Sequence, residues 1–97
     1  MAVQTETILK KVAQELHVSE EDLVRHGLRS FLEHQLREVK AEIFKITGFY
    51  GVSSVEEMEA RYREGTLEEA ESWQDLQHLD HLEHKRDTLL QLIETLG

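Results

Sequence analysis

The sequence predicts an all-α protein, in which two long helices form an elongated hairpin with a short helix before it and a short connecting helix. Three observations predict this class. The 97 residues contain no proline, the residue that breaks helices most strongly. Residues of high helix propensity dominate, and apolar residues recur every three or four positions. A chain of this length is expected to form one folded unit with a modest core.

The first two helices are expected to be separated by a corner at Val18 and Ser19. Helix 1 is predicted over residues 6–17, where five apolar residues share one face: Ile8, Leu9, Val12, Ala13 and Leu16. Ser19 followed by Asp22 has the spacing of a helix N-cap and capping box. Helix 2 is therefore predicted to begin at Glu20 and to run to about Thr47.

Helix 2 changes its apolar pattern along its length. Its first half carries a broad apolar face that consists of Leu23, Val24, Gly27, Leu28, Phe31 and Leu32. The pattern then narrows to a seam with alternating steps of four and three, formed by Leu32, Leu36, Val39, Ile43, Ile46 and Tyr50. This spacing is typical of a helix that packs lengthwise along another helix.

The remaining helices follow a predicted turn at residues 48–51. Ser54 with Glu57 is expected to cap a short third helix that ends at Gly65. Thr66 with Glu69 is expected to cap helix 4, which runs to about residue 96. The apolar stripe of helix 4 comprises Leu67, Ala70, Trp73, Leu76, Leu79, Leu82, Leu89, Leu90, Ile93 and Leu96.

The predicted helix lengths favour a dimer. At 1.5 Å per residue, helices 2 and 4 each measure roughly 40–45 Å, whereas a compact chain of this size has a diameter of about 30–35 Å. An elongated hairpin leaves the broad face of helix 2 with less cover than helix 1 alone can supply. A two-fold homodimer is the simplest solution, and its predicted interface is Leu23, Val24, Gly27, Leu28, Phe31 and Leu32.

Residues 9–32 resemble the two helices of ribbon-helix-helix proteins. These are small dimeric DNA-binding regulators, many of which are antitoxins of prokaryotic toxin–antitoxin pairs. The matching features are the apolar face of helix 1, the Val18-Ser19 corner and the Leu23–Leu32 pattern. The resemblance implies that residues 1–50 dimerise and that Gly27 lets helix 2 approach its mate closely. The alternative is a helix-interior glycine tolerated at a cost of about 1 kcal/mol.

The DNA-reading element of that family departs from its pattern here. The family reads DNA with a β-strand before the first helix, and only Met1–Thr5 are left for it, with Gln4 as the one base-reading candidate. Lys10, Lys11, Arg25 and Arg29 could still contact a DNA backbone, but such contacts would confer no sequence specificity. The second helix begins Ser-Glu-Glu-Asp, and such carboxylates repel phosphate. The resemblance therefore implies a dimer whose DNA-reading strand is reduced or missing.

Charge separates the two halves of the chain. Residues 1–50 carry seven Lys/Arg against eight acids, whereas residues 51–97 carry four against twelve. In antitoxins the C-terminal part covers the toxin, so the resemblance implies that residues 51–97 bind a small basic toxin. Its contact candidates are Trp73, Leu76, Leu79 and Arg86. The alternatives are that the acids solvate exposed helix faces, that Trp73 is a core residue, and that Arg86 fixes helix register or extends to water.

Other functional classes find less support in the sequence. Cysteine is absent, which excludes disulfides and thiolate chemistry within these residues. His78, His81 and His84 recur every three residues, but this step turns them around a helix, so a solvated face is favoured over a metal site. Neither a nucleophile elbow nor a phosphate-binding loop occurs. We therefore expect no catalytic residues and no cofactor.

Localisation is expected to be cytoplasmic. No apolar run approaches the length of a membrane span, and the first residues have neither the basic nor the apolar region of a signal peptide. Two functions remain open. One is an antitoxin-like dimer that binds a toxin, and the other is a structural or adaptor homodimer without a toxin partner.

Overall fold

A computed structural model describes residues 2–97, with side chains from residue 4 onward. It contains four helices, α1 (Ala2–Leu16), α2 (Glu20–Tyr50), α3 (Val55–Glu64) and α4 (Glu69–Leu96), and no strand among the described residues. The predicted all-α hairpin is therefore confirmed. The α2 and α4 helices pack along each other, α3 packs on α4, and α1 packs on α2.

The two long helices run antiparallel. The Tyr50 hydroxyl at the end of α2 donates a hydrogen bond to Asp75 near the start of α4. At the other end, Arg25 of α2 donates to the backbone carbonyl of Leu96, which ends α4. The described residues extend over 62 × 26 × 17 Å with a radius of gyration of 19.8 Å. A compact chain of this length would have a radius of about 13 Å, so the predicted elongation is confirmed.

The seam predicted on α2 faces α4. Val39 of α2 is buried together with Leu82 and Leu89 of α4. Around these three pack the half-buried apolar side chains of α2, namely Leu32, Leu36, Ile43 and Ile46. Because these residues repeat in steps of three and four, they keep to one side of the helix over several turns. The hairpin is thus held together along its length by a narrow apolar stripe.

A second cluster closes the hairpin at α3. Met58 of α3 and Leu79 of α4 have no exposed surface, and Val52 of the connection is buried beside them. The start of α3 is also tied to α4, because the backbone N–H of Val55 donates to the Glu83 carboxylate over 3.1 Å. We call this region, which comprises the end of α2, all of α3 and the first half of α4, the "closed end".

Caps explain where α2 and α3 begin. Ser19 accepts a hydrogen bond from the Asp22 backbone N–H, and Ser54 accepts one from the Glu57 N–H. The predicted N-caps of α2 and α3 are therefore confirmed. The Glu57 carboxylate accepts a hydrogen bond from the Ser53 hydroxyl over 2.6 Å, and this bond, with smaller contributions from the Ser53 backbone N–H and then from the nearby Arg61, lowers the pKa of Glu57. Since α3 ends at Gly65 in the left-handed conformation (φ 75°), the predicted C-cap is confirmed as well.

Three predicted boundaries were wrong. The first helix begins at Ala2 and not at Glu6, so Ala2–Thr5 are helical, while Met1 lies outside the described residues. The second helix runs on to Tyr50 and ends at Gly51 (φ 65°). A helix-interior glycine costs only about 1 kcal/mol, and the packing of Tyr50 at the closed end offsets that cost for Gly48.

The third boundary concerns Thr66, which does not cap α4. Its backbone N–H and its hydroxyl both donate to the carbonyl of Arg61, so it completes the C-terminal cap of α3. The N-cap of α4 is Glu68, whose side chain makes no capping hydrogen bond. The C-terminal cap of α3 and the predicted N-terminal cap of α4 overlap in this short connection, and Thr66 belongs to the cap of α3.

Candidate protein-binding surfaces

The six residues predicted to form a dimer interface lie together on α2, and we call them the α2 flank (Leu23, Val24, Gly27, Leu28, Phe31 and Leu32). Leu28 is 49% exposed and Phe31 60% exposed, and Val24 is exposed as well. Leu23 and Leu32 are half-buried, and Leu32 packs against the seam cluster. At 100° per residue, Val24 and Phe31 lie roughly a quarter turn away from the seam. The chain itself therefore covers only the edges of this surface.

Gly27 lies in the middle of the α2 flank. A Cβ atom added there would meet no atom within 4 Å, so nothing inside the chain requires a glycine at this position. Gly27 has a helical backbone and not a positive φ. The helix therefore accepts a residue of low propensity without any packing reason in its own chain.

Further apolar side chains lie exposed near the same end of the hairpin. They are Ile8 and Leu16 of α1, Val18 of the corner, and Leu90 and Leu92 of α4. A shallow groove between the two long helices joins Val24 and Leu28 to Leu96. We call this region, with α1, the first half of α2 and the last turns of α4, the "open end".

A second surface lies at the closed end, where the last turn of α2 faces the first turns of α4. Phe49 is 80% exposed, and its ring meets that of Tyr50 edge to face with 4.8 Å between centroids. Beside them lies a groove, which we call the Phe49 cleft, lined by Phe49, Tyr50, Leu67, Glu68, Glu71, Ser72 and Asp75. One side of the cleft is aromatic and the other carries three carboxylates.

Three hydrogen bonds fix the walls of the Phe49 cleft. The hydroxyl of buried Ser72 donates to the Glu68 carbonyl over 2.7 Å and also bonds to the Tyr62 hydroxyl at 2.6 Å. The Tyr50 hydroxyl bonds to Asp75. That hydrogen bond, then burial and the negative charge of Asp75, raise the pKa of Tyr50 to about 12. Tyr50 therefore stays protonated and holds Asp75 at the edge of the cleft.

Phe49 also borders a second groove. This groove is lined by Glu42, Lys45, Ile46, Phe49, Tyr50, Asp75 and His78. Its lysine already lies 3.8 Å from the Glu42 carboxylate. Phe49, Tyr50 and Asp75 thus line both grooves.

The four predicted partner contacts on α4 do not form one surface. Leu79 has no exposed area and belongs to the core of the closed end, so the expectation that it touches a partner was wrong. Leu76 is half-buried against the same core. Trp73 is 43% exposed, and the Arg86 guanidinium lies 3.0 Å from the carboxylate of exposed Asp87. Stripe position alone did not distinguish core leucines from surface ones.

A family model described as "Uncharacterized protein MJ0235 family" matches residues 1–97. The chain belongs to the MJ0235 family. No curated protein matches it, and no solved structure matches it.

The residues considered for DNA contacts lie on α1 and α2 in this MJ0235 family protein. Gln4, Lys10 and Lys11 are exposed on α1, and residues 2–5, where the ribbon-helix-helix family has its DNA-reading strand, are helical. Arg25 of α2 is held 3.5 Å from Glu21 and bonds to the Leu96 carbonyl, and Arg29 is half-buried.

His78, His81 and His84 are all exposed on α4, and the described residues contain no group of three or more His, Asp or Glu arranged to hold a metal ion. No helix in the described range combines the length and the apolar character needed to cross a bilayer.

Sequence reasoning missed the Phe49 cleft, because it assigned residues 48–51 to a turn. The available signal was the aromatic pair Phe49-Tyr50, in which only Tyr50 continues the seam spacing of helix 2. A seam residue followed by a glycine cap indicates that the helix reaches that residue. Phe49, one position earlier, is then placed outside the seam.

Proposed function

We propose that this protein is a non-catalytic, antitoxin-like binding protein that dimerises through the α2 flank and holds a basic partner with its acidic C-terminal half. The observation that supports it most is the uncovered apolar surface of Val24, Leu28 and Phe31. Contiguous apolar surface of this kind on a small helical protein marks an interaction site. The alternative is a structural or adaptor homodimer, which uses the same flank and has no toxin partner.

Charge favours a second copy as the occupant of the α2 flank. The flank belongs to residues 1–50, whose net charge is −1, whereas residues 51–97 carry −8. Two copies that meet through the flank bring their open ends together, and the acidic charge lies mostly toward the closed end, since residues 51–83 carry −8 and residues 84–97 carry no net charge. Contacts between two acidic halves would instead be opposed by repulsion. A basic partner would compete poorly for the flank, since it is attracted to the acidic residues of the second half of the chain.

A two-fold arrangement also uses the flank economically. In a two-fold interface each residue occurs twice, so the burial of Leu28 and Phe31 is counted in both copies. Burying such a side chain fully contributes about 1.5–3 kcal/mol. Gly27, with no neighbour in its own chain, allows the two copies of α2 to approach closely there.

Toxin binding is proposed from the charge of the second half. Four basic side chains against twelve acids complement a basic surface, such as the substrate groove of an RNA-cleaving toxin, and such complementarity raises the rate of association. We do not propose DNA binding, because α1 is already helical where the ribbon-helix-helix family has its DNA-reading strand. In addition, the first turn of α2 carries Glu20, Glu21 and Asp22.

A charge placed on the flank tests dimerisation. Phe31→Asp is expected to convert a dimer into a monomer in sedimentation equilibrium, because the carboxylate would be buried without a partner. Phe44→Asp is the matched control, since Phe44 is on the same helix, is 77% exposed and lies on another face. A wild-type monomer at micromolar concentration contradicts the proposal, as does equal dissociation of both variants.

The neighbouring genes test the partner. An antitoxin-like role predicts an adjacent gene for a small basic protein whose expression arrests growth, and co-expression of this chain should relieve the arrest. The two proteins should co-purify in a complex that weakens as salt is raised. If wild-type protein is a dimer but no neighbour is toxic or bound, the adaptor alternative takes the place of the antitoxin role.

A further inference from the structure

We propose that the Phe49 cleft receives an arginine side chain from a basic segment of the partner protein, with the guanidinium against the Phe49 ring and beside the Glu71 and Asp75 carboxylates. This inference rests on the proposed function, because it names the place and the chemistry with which the acidic half would hold its partner.

The first observation is the exposure of Phe49. Phe49 is 80% exposed, so its own chain covers little of the ring. The ring contact that it makes is the edge-to-face contact with Tyr50. Phe44, at 77%, is equally exposed, but neither groove that borders Phe49 includes it. Phe49 thus combines an exposed ring with a position in the lining of two grooves.

The second observation is that the carboxylates of the cleft lack cations. No Lys, Arg or His in the described part of the chain forms an ion pair with Glu68, Glu71 or Asp75. Glu71 and Asp75 are four residues apart on α4, a spacing that places like charges side by side and destabilises the helix slightly. An added cation would remove this repulsion and gain two attractive contacts.

Arginine fits this surface better than other side chains. Its planar guanidinium stacks on an aromatic ring and at the same time donates to carboxylates in its own plane. A lysine ammonium lacks that planar face and is more strongly hydrated. The cleft offers both an aromatic wall and acceptors, so it favours arginine over lysine.

A second copy of this chain is a poor occupant of the cleft. The cleft lies mostly within the half of the chain that carries −8, and self-association there would bring two such halves into contact. Charge complementarity therefore assigns the cleft to a basic partner and leaves the α2 flank to the second copy.

The test uses a capped peptide with three arginines separated by glycines, and two matched peptides in which lysine or the neutral citrulline replaces each arginine. Binding to the full chain is followed by backbone amide NMR at low ionic strength. We expect the arginine peptide to bind most tightly and the citrulline peptide most weakly, with shifts concentrated at residues 49–50 and 67–75. Shifts spread over all acidic helix faces would overturn the inference.

Variants separate the cleft from general attraction. Phe49→Ala and Phe49→Leu should each weaken the arginine peptide about two- to fivefold, the loss of a solvent-exposed cation–π contact, whereas Phe44→Ala should leave its affinity unchanged. Phe49→Leu retains an apolar side chain and lacks only the aromatic face. The double variant Glu71→Gln/Asp75→Asn should weaken binding more than Glu64→Gln/Glu94→Gln, which removes the same charge elsewhere in the half. Equal losses in the two double variants would refute the cleft.

The outcomes distinguish this inference from the proposed function. If the arginine peptide binds the cleft but no basic neighbour protein binds the chain, the antitoxin role fails and the cleft stands. If a toxic neighbour binds and Phe49→Ala leaves its affinity unchanged, the cleft fails and the antitoxin role stands. The cleft variants should remain dimeric in sedimentation equilibrium, since none of the substituted residues belongs to the α2 flank.

Discussion

At the closed end, Met58 and Leu79 have no exposed surface, whereas at the open end of the same hairpin Leu28 and Phe31 are 49% and 60% exposed. Both ends have a similar supply of apolar side chains, but they differ in the number of elements that cover them. Three helical segments and a connection meet at the closed end. At the open end α1 packs on α2 but leaves the flank bare. The closed end is therefore stabilised within the chain, and the exposed flank at the open end is the reason for proposing that a second chain binds there.

The largest expected effect comes from truncating one leucine at each end. Leu79→Ala should lower the free energy of unfolding by about 2–5 kcal/mol, because it leaves a cavity in a packed core. Leu28→Ala removes a half-exposed side chain, so in the monomer its cost should stay below about 1 kcal/mol. Urea unfolding of both variants at low protein concentration measures the difference. Equal losses would show that the two ends are packed alike.

The same pair of variants also reports on association. In wild-type protein and Leu79→Ala, the urea midpoint should rise with protein concentration, because unfolding of a dimer depends on mass action. In Leu28→Ala this dependence should weaken. A midpoint that is independent of concentration in all three proteins would remove the role proposed for the open end.

Gly27 and Gly48 allow a sharper comparison between the ends. Both are exposed inside α2, and an added Cβ meets no atom within 4 Å at either position. In the monomer, Gly27→Ala and Gly48→Ala should each raise the free energy of unfolding by up to about 1 kcal/mol. Only Gly27→Ala should weaken dimerisation, since only Gly27 lies on the α2 flank.

Sedimentation equilibrium and dilute urea unfolding of the two glycine variants check this expectation. If both variants dimerise as tightly as wild-type protein, the copies of α2 do not approach closely at Gly27. The interface would then use the outer side chains of the flank alone.

Sequence reasoning predicted the hairpin well because its signals are periodic. The steps of three and four from Leu32 to Ile46 identify the side of α2 that faces α4. The same signal on α4 could not rank Leu79 against Trp73, because burial there depends on where α3 lies, and α3 is positioned by tertiary contacts such as that between Val55 and Glu83. The Phe49 cleft was not predictable for the same reason, since it requires the ends of two helices to be brought together.

The smallest expected effect comes from the hydrogen bond that joins α2 to α4 at the closed end. Tyr50→Phe removes the hydroxyl that donates to Asp75. In this partly exposed position, the free energy of unfolding should fall by about 0.5–1 kcal/mol near neutral pH.

The pKa of Tyr50 is raised to about 12 in the folded chain, against about 10 in an unfolded one. Folding therefore favours the protonated phenol, and its contribution is complete below about pH 10 and disappears as the pH approaches 12. Urea midpoints across this range should fall less in Tyr50→Phe than in wild-type protein, and the phenolate absorbance step near pH 12 should vanish in Tyr50→Phe and persist in Tyr62→Phe. An identical alkaline decline in wild-type protein and Tyr50→Phe would mean that this bond does not help to hold the closed end together.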